Sequence, residues 1–189
     1  MLFRSEETAY IWNCDTGVMQ HRLDGHTASI WNVCFSHDGG RLVTCGDDAT
    51  SRVWSVDTGA ELVTLQEHGE PVWGVAFSPD DQDIASGSYD STIAVCDSFT
   101  GENKFTIRER PARVNCVAYS KSGRYLATGD GESLVKVWNA STGAFVAEFH
   151  GHEDKVRTIQ WTPDDKALVS CSGDGTVRVW DFLDLVRML

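Results

Sequence analysis

Histidine, hydroxyl and carboxylate recur in this chain in the combination that hydrolases use. His26 is followed by Thr44 and Asp48, and His152 by Ser170 and Asp174, at identical spacings. An imidazole held between an acid and a hydroxyl can serve as the general base for nucleophilic attack. The same order returns at His68, Ser86 and Asp90. A reaction centre is needed once, whereas a structural network is needed in every unit of a repeat. The constellation is therefore expected to hold the fold, and no catalytic residue is assigned. An enzyme would show a constellation present in one unit only, and none is found.

Metal and phosphate chemistry are excluded on similar grounds. His150 and His152 form the only close histidine pair, and His152 belongs to the recurring set. Cys14, Cys34, Cys45, Cys96, Cys116 and Cys171 show no Cys-x-x-Cys spacing, so neither a metal nor a cofactor is expected. They read as free, buried, small hydrophobes. Unpaired strand cysteines suit a reducing compartment, which points to an intracellular protein, cytoplasmic or nuclear. The glycine-rich turns Gly129-Asp130-Gly131 and Gly173-Asp174-Gly175 precede no helix that could cradle a phosphate. The pairs Asp80-Asp81 and Asp164-Asp165 fall in turns and are expected to be solvated.

What positions these residues is a repeat. Trp12, Trp54, Trp138 and Trp180 stand at 42 residues or its double, with Cys96 in the vacant place. The same period relates Phe35, Phe77, Tyr119 and Trp161, and it relates the Thr-Gly pairs ending at Gly17, Gly59, Gly101 and Gly143. Each unit reads as four short antiparallel strands. In one of them Val72–Phe77 is closed by Ser78-Pro79-Asp80-Asp81, and two further strands cover Ile84–Ser86 and Thr92–Cys96. A Thr-Gly turn then leads to Lys104–Ile107. No segment shows sustained helical periodicity, so the expected class is all-β.

The Gly-His starts at Gly25-His26 and Gly151-His152, the Ser170 to Asp174 turn and the Trp180-Asp181 strand end resemble the WD-repeat family. The resemblance covers the whole chain. It implies a β-propeller of four-stranded antiparallel blades around a channel. It further implies a buried network in each blade: His26, Thr44, Asp48 and Trp54 in one, and His152, Ser170, Asp174 and Trp180 in another. A third unit has His68, Ser86 and Asp90 but Cys96 for the tryptophan. The fourth keeps Thr128 and Trp138, with Arg110 and Glu132 at the histidine and acid positions.

In such propellers function resides on surfaces, and the resemblance maps the channel rim onto Trp31, Asp47, Trp73, Tyr89, Arg113, Asn115, Lys155 and Arg157. Aromatic and cationic side chains of this kind make interface hot spots. On a chain of net charge −12, a basic rim edged by aromatics suits an acidic or phosphorylated peptide. The expected function is a non-catalytic scaffold or substrate adaptor binding a protein or peptide. An RNA-associated propeller is the alternative, since the same side chains could stack on bases. The acidic balance, 28 Asp and Glu against 16 Lys and Arg, argues against a dedicated nucleic-acid binder. No apolar run approaches the ~18 residues of a membrane helix, and Glu6 and Glu7 interrupt any secretory leader.

Divided by the period, 189 residues make about four and a half units. The expected organisation is a half-blade over 1–24, three full repeats over 25–66, 67–108 and 109–150, and a last repeat over 151–189 truncated in its outer strand. A seven-bladed ring, common in the family, would need about 100 residues more. The expected state is an incomplete ring that is closed by missing blades or by self-association.

Overall fold

A computed structural model describes residues 7–108 and 112–182. It holds seventeen strands and, among the described residues, no helix. β1 (Thr8–Trp12) and β2 (Met19–Asp24) pair as a half-blade. The first full blade is β3 (Ile30–Phe35), β4 (Arg41–Gly46), β5 (Ser51–Ser55) and β6 (Glu61–Leu65). The second is β7 (Val72–Phe77), β8 (Asp83–Ser88), β9 (Thr92–Asp97) and β10 (Asn103–Arg108). The third is β11 (Val114–Tyr119), β12 (Tyr125–Asp130), β13 (Val135–Asn139) and β14 (Phe145–Phe149). The fourth contributes β15 (Val156–Trp161), β16 (Ala167–Ser172) and β17 (Val177–Asp181). The truncated outer strand expected for the last unit falls beyond residue 182, outside the described residues.

Every blade is an antiparallel meander in chain order. The recurring Thr-Gly pairs have a conformational cause. Gly17, Gly59, Gly101 and Gly143 all adopt φ of 66–75°, a region that only glycine enters at no steric cost. Each donates its amide to the residue four positions earlier, closing the turn between the third and fourth strands.

The hydrophobic core lies in the seams between blades. Val43, Cys45 and Val53 of the first blade meet Val72, Val75 and Ile84 of the second. Ile93 and Val95 of the second meet Val114, Val117 and Leu126 of the third. Val135 and Val137 of the third meet Val156, Ile159 and Leu168 of the fourth. Ile11 and Leu23 of the half-blade cover Leu42 and Trp54. One blade has too little apolar surface to fold alone, so stacking supplies the stability.

The ring is not closed. Val177 and Val179 on β17 are 65% and 69% exposed, while Val135 and Val137 at the same repeat positions are fully buried. At the other end Val33 and Phe35 are each 54% exposed, against 4% and 2% for Val75 and Phe77. Inner strands β3, β7, β11 and β15 line one side of an open groove of about 620 Å³.

One expectation is corrected at the seams. Asp81 is buried rather than solvated. Its carboxylate reaches back to the previous blade and accepts from the amides of His37 (2.8 Å) and Asp38 (2.9 Å). Asp165 does the same for Lys121 (2.7 Å) and Ser122 (2.8 Å). Both aspartates take a positive φ, a conformation Asp tolerates better than most residues.

Candidate functional site

The His, Ser/Thr and Asp residues do converge, and they form closed chains of hydrogen bonds. In the first blade the Trp54 indole donates to Thr44 Oγ1 at 2.9 Å, and the Thr44 hydroxyl meets His26 Nε2 at 2.8 Å. His26 Nδ1 donates to Asp48 at 2.8 Å, which also accepts from the amides of Thr27 and Thr50. A neutral imidazole satisfies every member. The fourth blade repeats the chain through Trp180, Ser170, His152 and Asp174, at 2.8, 2.8 and 2.9 Å. Each hydroxyl is already engaged by an indole and an imidazole, so no nucleophile is presented to a substrate.

The second blade joins His68 to Ser86 at 2.8 Å and to Asp90 at 3.1 Å. Cys96 is fully buried where an indole stands elsewhere. Burial pushes its thiol up to about 12. Burial likewise raises the thiols of Cys34 and Cys45. Such thiols are inert.

The third blade departs from the expected arrangement. Glu132 is exposed, and Arg110 lies outside the described residues. The network acid is instead Asp130, fully buried, two residues earlier. Its Oδ1 accepts from the amides of Glu132 and Leu134 at 2.9 Å each, capping the turn as Asp48 does in the first blade. Its Oδ2 accepts from Lys136 Nζ at 3.1 Å. Trp138 still donates to Thr128 at 3.0 Å. Glutamate at position 132 is one methylene too long for a turn that aspartate caps, and Asp130 does the capping. The signal was present: Lys136 shares its repeat position with Arg52 and Arg178, so a cation at that depth required an acid nearby.

The networks make the fold pH-sensitive. Burial disfavours the His26 cation and outweighs the Asp48 carboxylate, so this histidine sits below its ordinary 6.5. The unfolded chain takes up the proton first, and stability present above pH 6.5 is lost on acidification. Asp48 and Asp90 follow at lower pH: burial raises each, but turn amides, threonine hydroxyls and the histidine prevail and hold them below 3.8. Their contribution is present above that value and lost as pH falls through the lowered one. We expect the urea midpoint to fall between about pH 7 and 5 and the His26→Gln variant to show a shallower slope there. A wild-type midpoint that rises over this interval would contradict the assignment.

The rim residues share a structural origin. In all four blades the register between the first and second strands slips by one residue, and the extra residue is Trp31, Trp73, Asn115 or Arg157. A β-bulge re-aims its side chain, here toward the channel mouth. Trp31, Trp73 and Tyr89 stack as a column with centroids 5.0 and 4.5 Å apart. The Arg113 guanidinium lies 4.6 Å over the Tyr89 ring. Asp47 accepts from the Trp31 indole at 2.6 Å.

Next to this column Trp31, Asn32, Trp73, Asn115, Lys155 and Arg157 line a pocket of about 220 Å³. The Trp73 indole N–H is buried there without a hydrogen-bond partner in the protein. Asn115 is the exception among the rim residues. It is only 5% exposed and donates to the Val156 carbonyl at 3.0 Å, tying the third blade to the fourth. Asn32, absent from the expected set, lines the same pocket and donates to the Trp73 carbonyl at 3.5 Å.

Radial four-stranded blades with a recurring buried network, and no catalytic constellation among the described residues, define a β-propeller repeat protein. The chain belongs to the WD40 family: the family model for the WD domain, G-beta repeat, matches residues 17–55, 59–97, 101–139 and 143–181. Each match opens on the outer strand of one blade and closes on the third strand of the next. No curated protein matches the chain. WD40 repeats generally mediate protein–protein interactions as scaffolds and are typically non-catalytic.

Proposed function

We propose that this chain is an intracellular interaction scaffold whose rim binds an acidic or phosphorylated peptide segment. The observation that carries the reading is the pocket beside the tryptophan column. Lys155 and Arg157 line it and, among the described residues, make no ion pair. Two cationic side chains lining one cavity suit a phosphate or carboxylate, and the column supplies a rigid apolar wall. Six free thiols fit a reducing compartment. The stacking favours peptide over RNA. Trp73 is stacked between Trp31 and Tyr89, and Tyr89 between Trp73 and the Arg113 guanidinium, so only the Trp31 end of the column is open to a base.

The test is fluorescence anisotropy with an acidic phosphoserine peptide and its unphosphorylated counterpart. Lys155→Ala combined with Arg157→Ala should weaken phosphopeptide binding roughly tenfold or more, while thermal stability moves by about 0.5 kcal/mol or less. Unchanged affinity in that variant would overturn the proposal. So would tighter binding of a single-stranded RNA with a steep salt dependence.

A further inference from the structure

The seams differ on the face opposite the rim, and one of them contains the template for a ligand. Between the first and second blades Arg41 is buried across the seam. Its guanidinium donates to the Ser98 carbonyl (3.1 Å), the Ser98 hydroxyl (2.9 Å) and the Asp81 carbonyl (2.7 Å). It lies 4.0 Å over the Phe99 ring and 5.3 Å from that of Phe77. Between the third and fourth blades Tyr125 takes the same repeat position and packs on Phe182 and Trp161, at 4.9 and 6.1 Å.

Between the second and third blades that position is Asp83, which is too short to fill the seam. Tyr119 stands at the Phe77 position, and Ala140 and Ser141 at those of Ser98 and Phe99. A cavity of about 220 Å³ remains, lined by these residues with Ser78, Pro79, Asp80, Ser122 and Gly123. The seam also lacks the carboxylate that Asp81 and Asp165 send back across theirs. Gly123 holds that position, and Pro79 has no N–H to receive a cap.

Two observations indicate what the cavity accepts. The Tyr119 hydroxyl is sealed from solvent and has no hydrogen-bond partner among the described residues. Asp83 and Asp80 line the same cavity, and burial first, then these carboxylates, push the Tyr119 phenol up. Asp83 is paired outward with Lys104, and Asp80 accepts from the Ser78 hydroxyl at 2.6 Å. Two carboxylates against one ammonium leave the site negative. No three His, Cys, Asp or Glu side chains converge to hold a metal among the described residues.

We infer that this cavity receives an arginine side chain from a partner protein, entering the second seam from outside as Arg41 fills the first from within. The guanidinium lies against Tyr119 and meets Asp80 and Asp83. Its planar fork of donors suits several acceptors at once, which an ammonium on a flexible stem does not.

The test titrates N-acetyl-arginine amide into the ¹⁵N-labelled chain and follows the amide resonances. We expect saturable, millimolar shifts centred on Ser122, Gly123 and Ser141, with the N-acetyl-lysine and N-acetyl-citrulline amides binding more weakly. Asp83→Asn should weaken the arginine derivative roughly tenfold. The same spectra report that the variant is folded, because an exposed pair such as Asp83–Lys104 contributes little. Asp164→Asn, the Asp80 position in the fourth blade, should leave binding unchanged. The inference fails if no saturable shift appears at this seam. It fails equally if lysine or citrulline binds as well as arginine, or if Asp83→Asn binds undiminished.

Discussion

Trp54→Ala will cost about 3–5 kcal/mol of folding stability, whereas Trp12→Ala will cost about 0.5 kcal/mol or less, each measured by urea denaturation. The two residues hold the same repeat position. Trp54 is 2% exposed and packs with Ile11, Leu23 and Leu42. Its indole also donates to Thr44 Oγ1, whose hydroxyl donates in turn to His26 Nε2. Truncation there opens a large cavity and removes one of the two hydrogen bonds of a buried hydroxyl. Trp12 is 57% exposed on the half-blade, so truncating it removes little buried contact. Equal costs for the two variants would show that Trp12 is covered in solution by something that these contacts do not include.

The second large effect belongs to the third blade. Asp130→Ala should destabilise the fold by about 3–5 kcal/mol, because it removes the fully buried carboxylate of the Asp130–Lys136 pair. The Lys136 side chain is 13% exposed and that of Asp130 is not exposed at all. Glu148 lies 4.0 Å from Lys136 Nζ and compensates only in part. The amides of Glu132 and Leu134 would lose their acceptor at the same time. Glu132→Ala should change stability by about 0.5 kcal/mol or less. Adding Lys136→Met to Asp130→Ala should recover much of the loss, since removing both members of a buried pair costs less than removing one. Chemical denaturation of the three variants checks this, and a larger loss for Glu132→Ala than for Asp130→Ala would restore the glutamate as the network acid.

Much of the site was legible in the sequence because its parts recur. His26, Thr44, Asp48 and Trp54 sit within 28 residues of one another, and one blade contains all of the contacts among them. A pattern repeated at 42 residues therefore reports them directly. The bulge positions recur for the same reason, one in each blade at Trp31, Trp73, Asn115 and Arg157. Where the expectations failed, the deciding neighbour came from outside the motif. Glu132 occupied the right position in the pattern, but Asp130 with Lys136 below it formed the pair. Asn115 looked like a surface residue until Val156 of the next blade gave its amide an acceptor. Asp81 looked like a solvated turn residue until the His37 and Asp38 amides of the previous blade closed on it.

The sequence by itself determined the all-β class, the 42-residue unit, the strand order within a blade and the His, Ser/Thr and Asp contacts of the first, second and fourth blades. These depend on turn chemistry and side-chain alternation, which act over a few residues to a few tens. Only the tertiary structure decided which members of one repeat position are buried, as between Trp12 and Trp54 or Val137 and Val179. It alone showed that the seam between the second and third blades has a cavity where its neighbours hold Arg41 and Tyr125. The period specifies what each blade carries to a seam. Whether the seam fills depends on the summed size and charge of two different sets of side chains, and that sum exists only once the blades are packed.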